Sequence, residues 1–149
     1  MTSSIWRVAL SERGGIVGRG VLVDFVRYAE KRGINYDPLG PYAISLAQIK
    51  EILIEEKVEI RQGDILILRC GLSKYLRSYT PNDPGPFDAY VHVGVDPTPE
   101  LLEWLWDSNI GAVGGDVTAF EALPASDGSS KFCLSPSSHH CYACGWTKH

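Results

Sequence analysis

Short apolar runs bounded by turn residues predict three buried strands along this chain. The first, residues 17–23, lies within GIVGRGVLVDF, which is rich in β-branched residues and bounded by glycines. The second, residues 65–68, follows the turn RQGD, and the third, residues 110–113, comes just before Gly114 and Gly115. Continuous apolar runs of this length are typical of strands with little exposure to water.

Apolar residues at helical spacing predict helices between these strands. Asp24 can cap a short helix, FVRYAEKR, which Gly33 would end in a left-handed turn. Ser45 and Gln48 form a capping box, because their side chains can exchange hydrogen bonds with the first free backbone amides. The helix that follows them is expected to bury one face and to extend to about Lys57.

A third helix, PELLEWLWDS, is predicted after Thr98, which can cap it, with Pro99 in its first turn. Most of its apolar side chains are expected in the core: Leu101, Leu102, Leu105 and Trp106. Trp104 and Trp106 together suit one packed ring and one exposed ring, or equally a subunit interface. Helices that alternate with short apolar strands indicate an α/β domain.

Composition and charge narrow the functional classes. The chain has 149 residues, 44% of them hydrophobic, which suits one globular domain. Its net charge of −4 argues against a nucleic-acid partner, since such proteins need a basic surface. No apolar run approaches the roughly 20 residues that a membrane helix needs, and the N-terminus lacks the features of a secretory signal. We therefore expect a cytoplasmic protein with no membrane segment.

Composition changes near Pro124. The final 26 residues hold six serines, three cysteines and three histidines, and neither isoleucine nor valine, so we expect a disordered tail. Cys141 and Cys144 in this tail, with His149, could chelate a metal ion. The alternative is an accidental cluster, since a zinc knuckle needs a second closely spaced pair and Cys133 is eight residues before Cys141.

Three blocks of the sequence occur in a fixed order: GGIVGRGVLVDFVRYAEKRGINYDP, GDILILRCG and GVDPTPELLEWLWDSNIGAVGGDVTAFEALP. In order and spacing they resemble the cyclase superfamily that includes kynurenine formamidase, in its longer, fungal-type branch. The resemblance extends over residues 12–124. It implies a swivelling β/β/α-type α/β fold that is incomplete at both ends, with residues 1–124 as a partial cyclase-like domain and residues 125–149 as a divergent tail.

The resemblance also implies a chemistry. Members of the family depend on a divalent metal, zinc or manganese, and hydrolyse amide-like bonds of small molecules. Their type reaction is the deformylation of N-formylkynurenine in tryptophan breakdown, and they form dimers or tetramers. By resemblance, the parent activity of this chain is arylformamidase-like, in tryptophan catabolism or in secondary metabolism.

The metal-binding motifs that the resemblance implies do not match this sequence. The family's motif H-x-G-T-H-x-D-x-P-x-H lies upstream of the strand GRGV, whereas this chain has no histidine before His92. A helix that supplies a histidine and a glutamate is expected after Leu123, where the serine-rich tail follows instead. The chain therefore resembles the middle of a family member, as a truncated isoform or a mispredicted gene model would. Whether it is an active enzyme stays open at this point.

Three side chains are candidates for the pocket of such a protein. Asp116 and Glu121 follow a predicted strand, where α/β proteins often place ligand groups. The alternative is that Asp116 caps a turn and Glu121 is solvated. His92, between two valines, could line the mouth of the pocket or be a hydrogen-bonded structural histidine. None of the three is assigned a catalytic role.

Residues around the second predicted strand have structural interpretations. Cys70 follows this strand with no nearby histidine to activate it, so we expect an inert buried thiol. Asp64 and Arg69 flank the strand and suit structural ion pairs. The GRG at residues 18–20 lacks the lysine and hydroxyl residues of a phosphate-binding loop.

Different classes of function remain open. The first is a cyclase-family protein whose metal-dependent hydrolysis of an N-formyl or related amide is impaired in this chain. The second is a non-catalytic interaction protein that pairs with full-length family subunits, in a homo- or hetero-oligomer, and changes their rate. A third is a small zinc-binding module built on the tail.

Overall fold

The structure is a computed structural model, and it describes Glu12 and residues 14–78 and 91–127. Strands and helices alternate along these residues. Their bounds are β1 (Gly20–Asp24), α1 (Phe25–Arg32), β2 (Ala43–Ile44), α2 (Leu46–Glu55), β3 (Ile65–Arg69), α3 (Leu72–Ser78), β4 (Gly94–Val95), α4 (Pro99–Asp107) and β5 (Ala112–Gly115). The α/β class expected from the sequence is confirmed. None of the described helices is long and apolar enough to cross a membrane.

Two sheets organise the described residues. The main sheet has three parallel strands in the order β1–β3–β5, with β3 in the centre. Its register places Leu22 beside Ile67 and Leu66 beside Val113. The second sheet is the short parallel pair β2–β4. Parallel neighbours cannot be joined by a tight turn, so the crossovers between them carry the helices.

The start and end of α1 agree with the sequence prediction. The Asp24 carboxylate accepts a hydrogen bond from the backbone N–H of Arg27 (3.0 Å). Gly33 has a left-handed conformation (φ 64°), and its N–H donates to the carbonyls of Ala29 and Glu30. A side-chain cap of this type stabilises a helix by about 1 kcal/mol. The predicted bounds of this helix are confirmed.

The capping box of α2 is also confirmed, but the helix is shorter than predicted. The Ser45 N–H donates to Gln48 Oε1 (2.9 Å), and the Gln48 N–H donates to Ser45 Oγ (3.3 Å). Lys57 has a positive φ of 53°, which a right-handed helix does not allow. The helix therefore ends at Glu55 instead of near Lys57.

Helix α4 begins at Pro99, where Thr98 Oγ1 accepts a hydrogen bond from the Leu101 N–H (3.3 Å), as predicted. Leu101 is fully buried and Trp104 packs against the core. Trp106, in contrast, is 46% exposed, so its expected place in the core is wrong. Five helical positions after Leu101, Trp106 lies roughly 140° around the helix and faces away from the core.

The core lies between one face of the main sheet and helices α1 and α2. Four strand side chains on this inner face are buried: Val21, Val23, Leu66 and Leu68. Three side chains of α2 pack with them: Ile49, Ile52 and Leu53. Phe25 at the start of α1 contacts the rings of Tyr36 and Tyr42, with centroids 5.1 and 5.3 Å away. The aromatic cluster thus joins α1 to the loop that follows it.

The opposite, outer face of the main sheet is exposed. Leu22 is 51% exposed and Ile67 is 40% exposed, although both alternate with buried neighbours. The expectation that the strands are buried throughout is wrong for this face. Successive side chains of a strand point to opposite faces, and the described helices cover the inner one. At the sheet edge, Val113 shares a row with Leu66 but is 40% exposed, because β5 has a neighbouring strand on one side only among the described residues.

Strand bounds also differ from the predicted ones. β1 starts at Gly20, and the upstream Val17 is exposed, outside any strand. Helix α3 and the two-residue strands β2 and β4 have no predicted counterpart, because elements this short show no clear period.

Most of the predicted tail falls outside the described residues, since residues 128–149 are not among them. Just before that segment, Ala125 is buried and the Ser126 N–H donates to the Asp96 carboxylate (3.1 Å), so packing continues past residue 124.

Candidate functional site

The main sheet carries a row of polar side chains at its carboxyl edge. Because β1, β3 and β5 are parallel, Asp24, Arg69 and Asp116 come at the same edge of the sheet. Ligands of open α/β sheets bind outside this edge. A ligand at this edge would meet whichever of these groups is not already engaged by the protein.

Asp116 uses its carboxylate to hold the backbone where β3 joins α3. Its oxygens accept hydrogen bonds from the N–H groups of Cys70 (2.5 Å), Gly71 (3.2 Å) and Ser73 (3.2 Å). A carboxylate that accepts backbone N–H groups at the start of a helix is favoured by the partial positive charge there. Of the two roles left open for Asp116, the contacts are those of a turn cap, which ties the end of β5 to the end of β3.

Arg69 and Asp24 form an ion pair across the same edge. Arg69 Nη1 donates to the Asp24 carboxylate (2.7 Å), and this hydrogen bond raises the pKa of Arg69. Both side chains are partly exposed, and such pairs contribute at most about 1 kcal/mol. The structural pairing predicted for Arg69 is confirmed.

Asp64 lies at the other end of β3, and its predicted pairing is also confirmed. Arg19 donates to both of its oxygens, from Nε (2.9 Å) and from Nη2 (2.6 Å). The backbone N–H of Arg61 donates to it as well (2.7 Å). The Arg19 hydrogen bonds are the main cause that lowers the pKa of Asp64 to about 2. This carboxylate therefore holds the turn before β3 and the start of β1 together.

Cys70 and Tyr36 form the buried side of the carboxyl edge. Tyr36 Oη donates to the Cys70 carbonyl (2.9 Å). Burial raises the pKa of the Cys70 thiol and also that of the Tyr36 hydroxyl. The thiol is therefore not ionised near neutral pH and is a poor nucleophile. The predicted inert, buried thiol is confirmed.

His92 and Glu121 lie on the second sheet, away from Asp116. The N–H of His92 donates to the Leu123 carbonyl (2.9 Å), and residue 121 forms a bridge with Val95. Both side chains are buried, so the alternative of a solvated Glu121 is wrong. Gly94 lets the backbones of these two segments approach closely, because a Cβ there would lie 2.4 Å from the carbonyl carbon of Glu121.

The protonation of His92 follows from its surroundings. Burial lowers its pKa, against the opposing effects of a backbone hydrogen bond to Val93 and of the Glu121 charge. His92 is therefore a neutral imidazole near neutral pH. The three pocket candidates thus fall into two places: Asp116 on the edge of the main sheet, and the buried pair His92 and Glu121 on the second sheet.

Three residues at the carboxyl edge were not predicted from the sequence: Tyr36, Gly71 and Ser73. The Tyr36 hydroxyl donates to the Cys70 carbonyl, and the N–H groups of Gly71 and Ser73 donate to Asp116. Gly71 offered a signal, because a glycine directly after a strand often marks a tight turn. Its φ of +92° requires a glycine here. Tyr36 offered none, since the partner of its hydroxyl is 34 positions away in the sequence.

The described residues do not fit the divalent metal that the family resemblance implies. Nowhere in residues 14–78 or 91–127 do three histidine, cysteine, aspartate or glutamate side chains come together in a group that could hold a metal ion. The tail candidates Cys141, Cys144 and His149 lie outside the described residues.

No curated protein matches the sequence. A crystal structure of a protein described as a novel cyclase matches with a TM-score of 0.61 at 28% sequence identity. The match covers 74% of this chain and 34% of that protein, so this chain spans about a third of that protein's length. The model of the Cyclase family matches residues 7–122, most of the sequence. The chain therefore belongs to the cyclase family.

Proposed function

We propose that this chain carries the helix-covered parallel sheet of a cyclase-family hydrolase of the kynurenine formamidase type, in its longer, fungal-type branch. The parent activity is metal-dependent hydrolysis of an N-formyl or related amide, in tryptophan catabolism or secondary metabolism. In this chain we propose that the activity is impaired. The buried free thiol Cys70 suits a reducing compartment such as the cytoplasm, which we propose as its location.

One observation supports the proposal that the activity is impaired. Among the described residues, no three side chains come together in a group that could hold a metal ion. The polar groups at the carboxyl edge are already engaged: Asp116 with three backbone N–H groups, and Arg69 with Asp24. The span of the chain, about a third of the solved cyclase, supports the view that other segments supply the zinc or manganese ligands. We therefore assign the described residues the role of a scaffold.

The test is deformylation of N-formylkynurenine by the purified chain, with zinc or manganese added and with a chelator. We expect no turnover above the background without enzyme, because the described residues contain no group of three side chains that could hold the metal. Turnover that the chelator abolishes would overturn the impairment. Turnover that the chelator leaves unchanged would overturn the metal dependence as well.

A second candidate function is a non-catalytic subunit that pairs with full-length family members. The outer face of the main sheet favours it, with Leu22 and Ile67 both exposed. Parallel sheets are almost always covered on both faces, since their strands expose apolar side chains on each. The match covers only 34% of the solved family member, so a full-length subunit has chain enough outside the match to cover this face.

This second candidate predicts that the chain co-purifies with a full-length family subunit and changes its rate. The double variant Leu22→Lys/Ile67→Lys should abolish the association, because it places two charges on the outer face. Ile54→Lys is the matched control, since Ile54 is 76% exposed on α2 and lies away from that face. If the double variant still associates, the outer face is not the binding surface. If Ile54→Lys also abolishes the association, the effect is not specific to the outer face.

A further inference from the structure

The topology of the main sheet explains why its outer face is exposed. Strands β1, β3 and β5 follow one another in sheet order, so both crossovers run in the same direction across the sheet. Crossovers between parallel strands are almost always right-handed, which places two successive ones on the same face. The core agrees, because side chains of α1, α2 and α4 pack in one cluster with Leu66 and Leu68 of the inner face. The described parts of both crossovers therefore leave the outer face uncovered.

The outer face has the dimensions of one short helix. Its apolar part consists of two rows, which are Gly20, Ile65 and Ala112, and then Leu22, Ile67 and Gly114. The Asp24–Arg69 ion pair closes the carboxyl end of this part. Neighbouring rows are about 6.6 Å apart, close to the spacing of about 6 Å between residues i and i+4 of a helix. The strands on either side of β3 are about 10 Å apart, which is about the diameter of a helix.

The two sides of this face differ in height. Ile67 leans towards β1, since its Cδ1 lies 3.2 Å from the position of a Cβ on Gly20. On the other side, a Cβ on Gly114 would have no atom of the described residues within 4 Å. A shallow lane therefore runs over β5 at Gly114, beside a ridge formed by Leu22 and Ile67. Because glycine has no side chain, the backbone of another element can approach the sheet closely in this lane.

We propose that the outer face binds one amphipathic helix of another cyclase-family subunit. The helix lies in the lane with its backbone near Gly114, and its apolar side chains at positions i and i+4 contact Ile65 and Ile67, one in each row. Parallel sheets have helices on both faces almost without exception, which favours a helix over a loop or a second sheet. The source of the helix rests on the second candidate function. The match covers only 34% of the solved family member, so most of that protein's length lies outside it and can supply the helix.

Filling the lane with a side chain tests this geometry. Gly114→Val should leave the melting temperature of the isolated chain unchanged, because the position is open and its φ is not left-handed. The variant should weaken association with a full-length subunit about tenfold or more, since overpacking a fitted contact is costly. Lys50→Val, on the exposed side of α2, adds the same side chain elsewhere and should change nothing. Equal weakening in both variants, or none in Gly114→Val, overturns the helix in the lane and leaves the pairing of subunits standing.

Photo-crosslinking identifies what occupies the face. A benzophenone amino acid in place of Ile67 should label residues three or four apart in the full-length subunit, the spacing of one helix face. Labels two residues apart indicate a strand and overturn the proposal. A dimer of the purified chain alone that Gly114→Val dissociates would assign the face to a second copy, which also overturns it. If the unchanged chain does not associate with a full-length subunit at all, the second candidate function is wrong together with this proposal.

Discussion

The two faces of the main sheet present the same strands to different surroundings. On the inner face, Leu66 and Leu68 are almost fully buried under the helices, whereas on the outer face Ile67, between them in sequence, is 40% exposed. Leu22 and Ile67 on the outer face are as apolar as the buried residues of the inner face. The difference lies in what covers them, so a strand's apolar run alone does not say how much each residue stabilises the fold.

The largest expected effect is on the inner face. Leu68→Ala should lower the free energy of unfolding by about 3 kcal/mol, since it leaves a cavity in a packed core. Ile67→Ala, one position earlier on the same strand, should lower it by less than about 1 kcal/mol, because its side chain already contacts water. Urea denaturation of the two variants measures both values. Equal losses would mean that the outer face is covered in solution.

A smaller loss of stability is expected at the carboxyl edge of the sheet, which belongs to neither face. Asp116→Ala should lower the free energy of unfolding by about 1–2 kcal/mol, as the loss of a capping carboxylate does. The backbone amides of Cys70, Gly71 and Ser73 should then exchange faster with deuterium, because they lose their acceptor. Amides in α2 serve as the internal control. Unchanged exchange at the three amides would contradict the turn-cap role.

The pH dependence of stability should distinguish the Arg19–Asp64 ion pair from the Arg69–Asp24 ion pair. The pKa of Asp64 is lowered to about 2 in the folded state, against about 4 in an unfolded chain. Its contribution to stability is therefore present above pH 4 and is lost as the pH falls towards 2. Asp64→Asn should flatten the stability profile in this range, measured by urea denaturation at each pH. Asp24→Asn is the matched control, which keeps the Asp64 contribution.

The smallest effect is expected for a charge placed on the outer face. Leu22→Lys in the isolated chain should change the free energy of unfolding by no more than about 0.5 kcal/mol, the range for exposed positions. The same range is expected for Ile54→Lys on α2. Thermal unfolding of both variants, beside the unchanged chain, makes the comparison. A large loss for Leu22→Lys alone would show that something covers the outer face.

Much of the fold was predictable because its signals are local. Asp24, Ser45 and Thr98 each cap a helix through a backbone N–H three positions away, so the sequence contains both partners. Cysteine burial and the pairing of Asp64 and Arg69 followed from their places beside a strand. The existence of these elements was therefore predictable, while their bounds moved by one to three residues.

The candidate site was less predictable, since its contacts join distant segments. Asp116 binds the Cys70 N–H across 46 positions, and no local pattern indicates this partner. Glu121 was a pocket candidate with a solvated side chain as the alternative, and the structure buries it beside Val95. Family resemblance identified the region around both residues but not their neighbours.

By itself, the sequence determined the helix caps, the order of the three main-sheet strands and of three helices and, through its three blocks, the cyclase family, because these depend on neighbours along the chain. Only the tertiary structure decided which face of each strand is covered, which carboxylates are buried, and which distant carboxylates hold the ends of β3. Burial and charge pairing depend on distances between segments far apart in the sequence. Those distances exist only once the parallel sheet has formed.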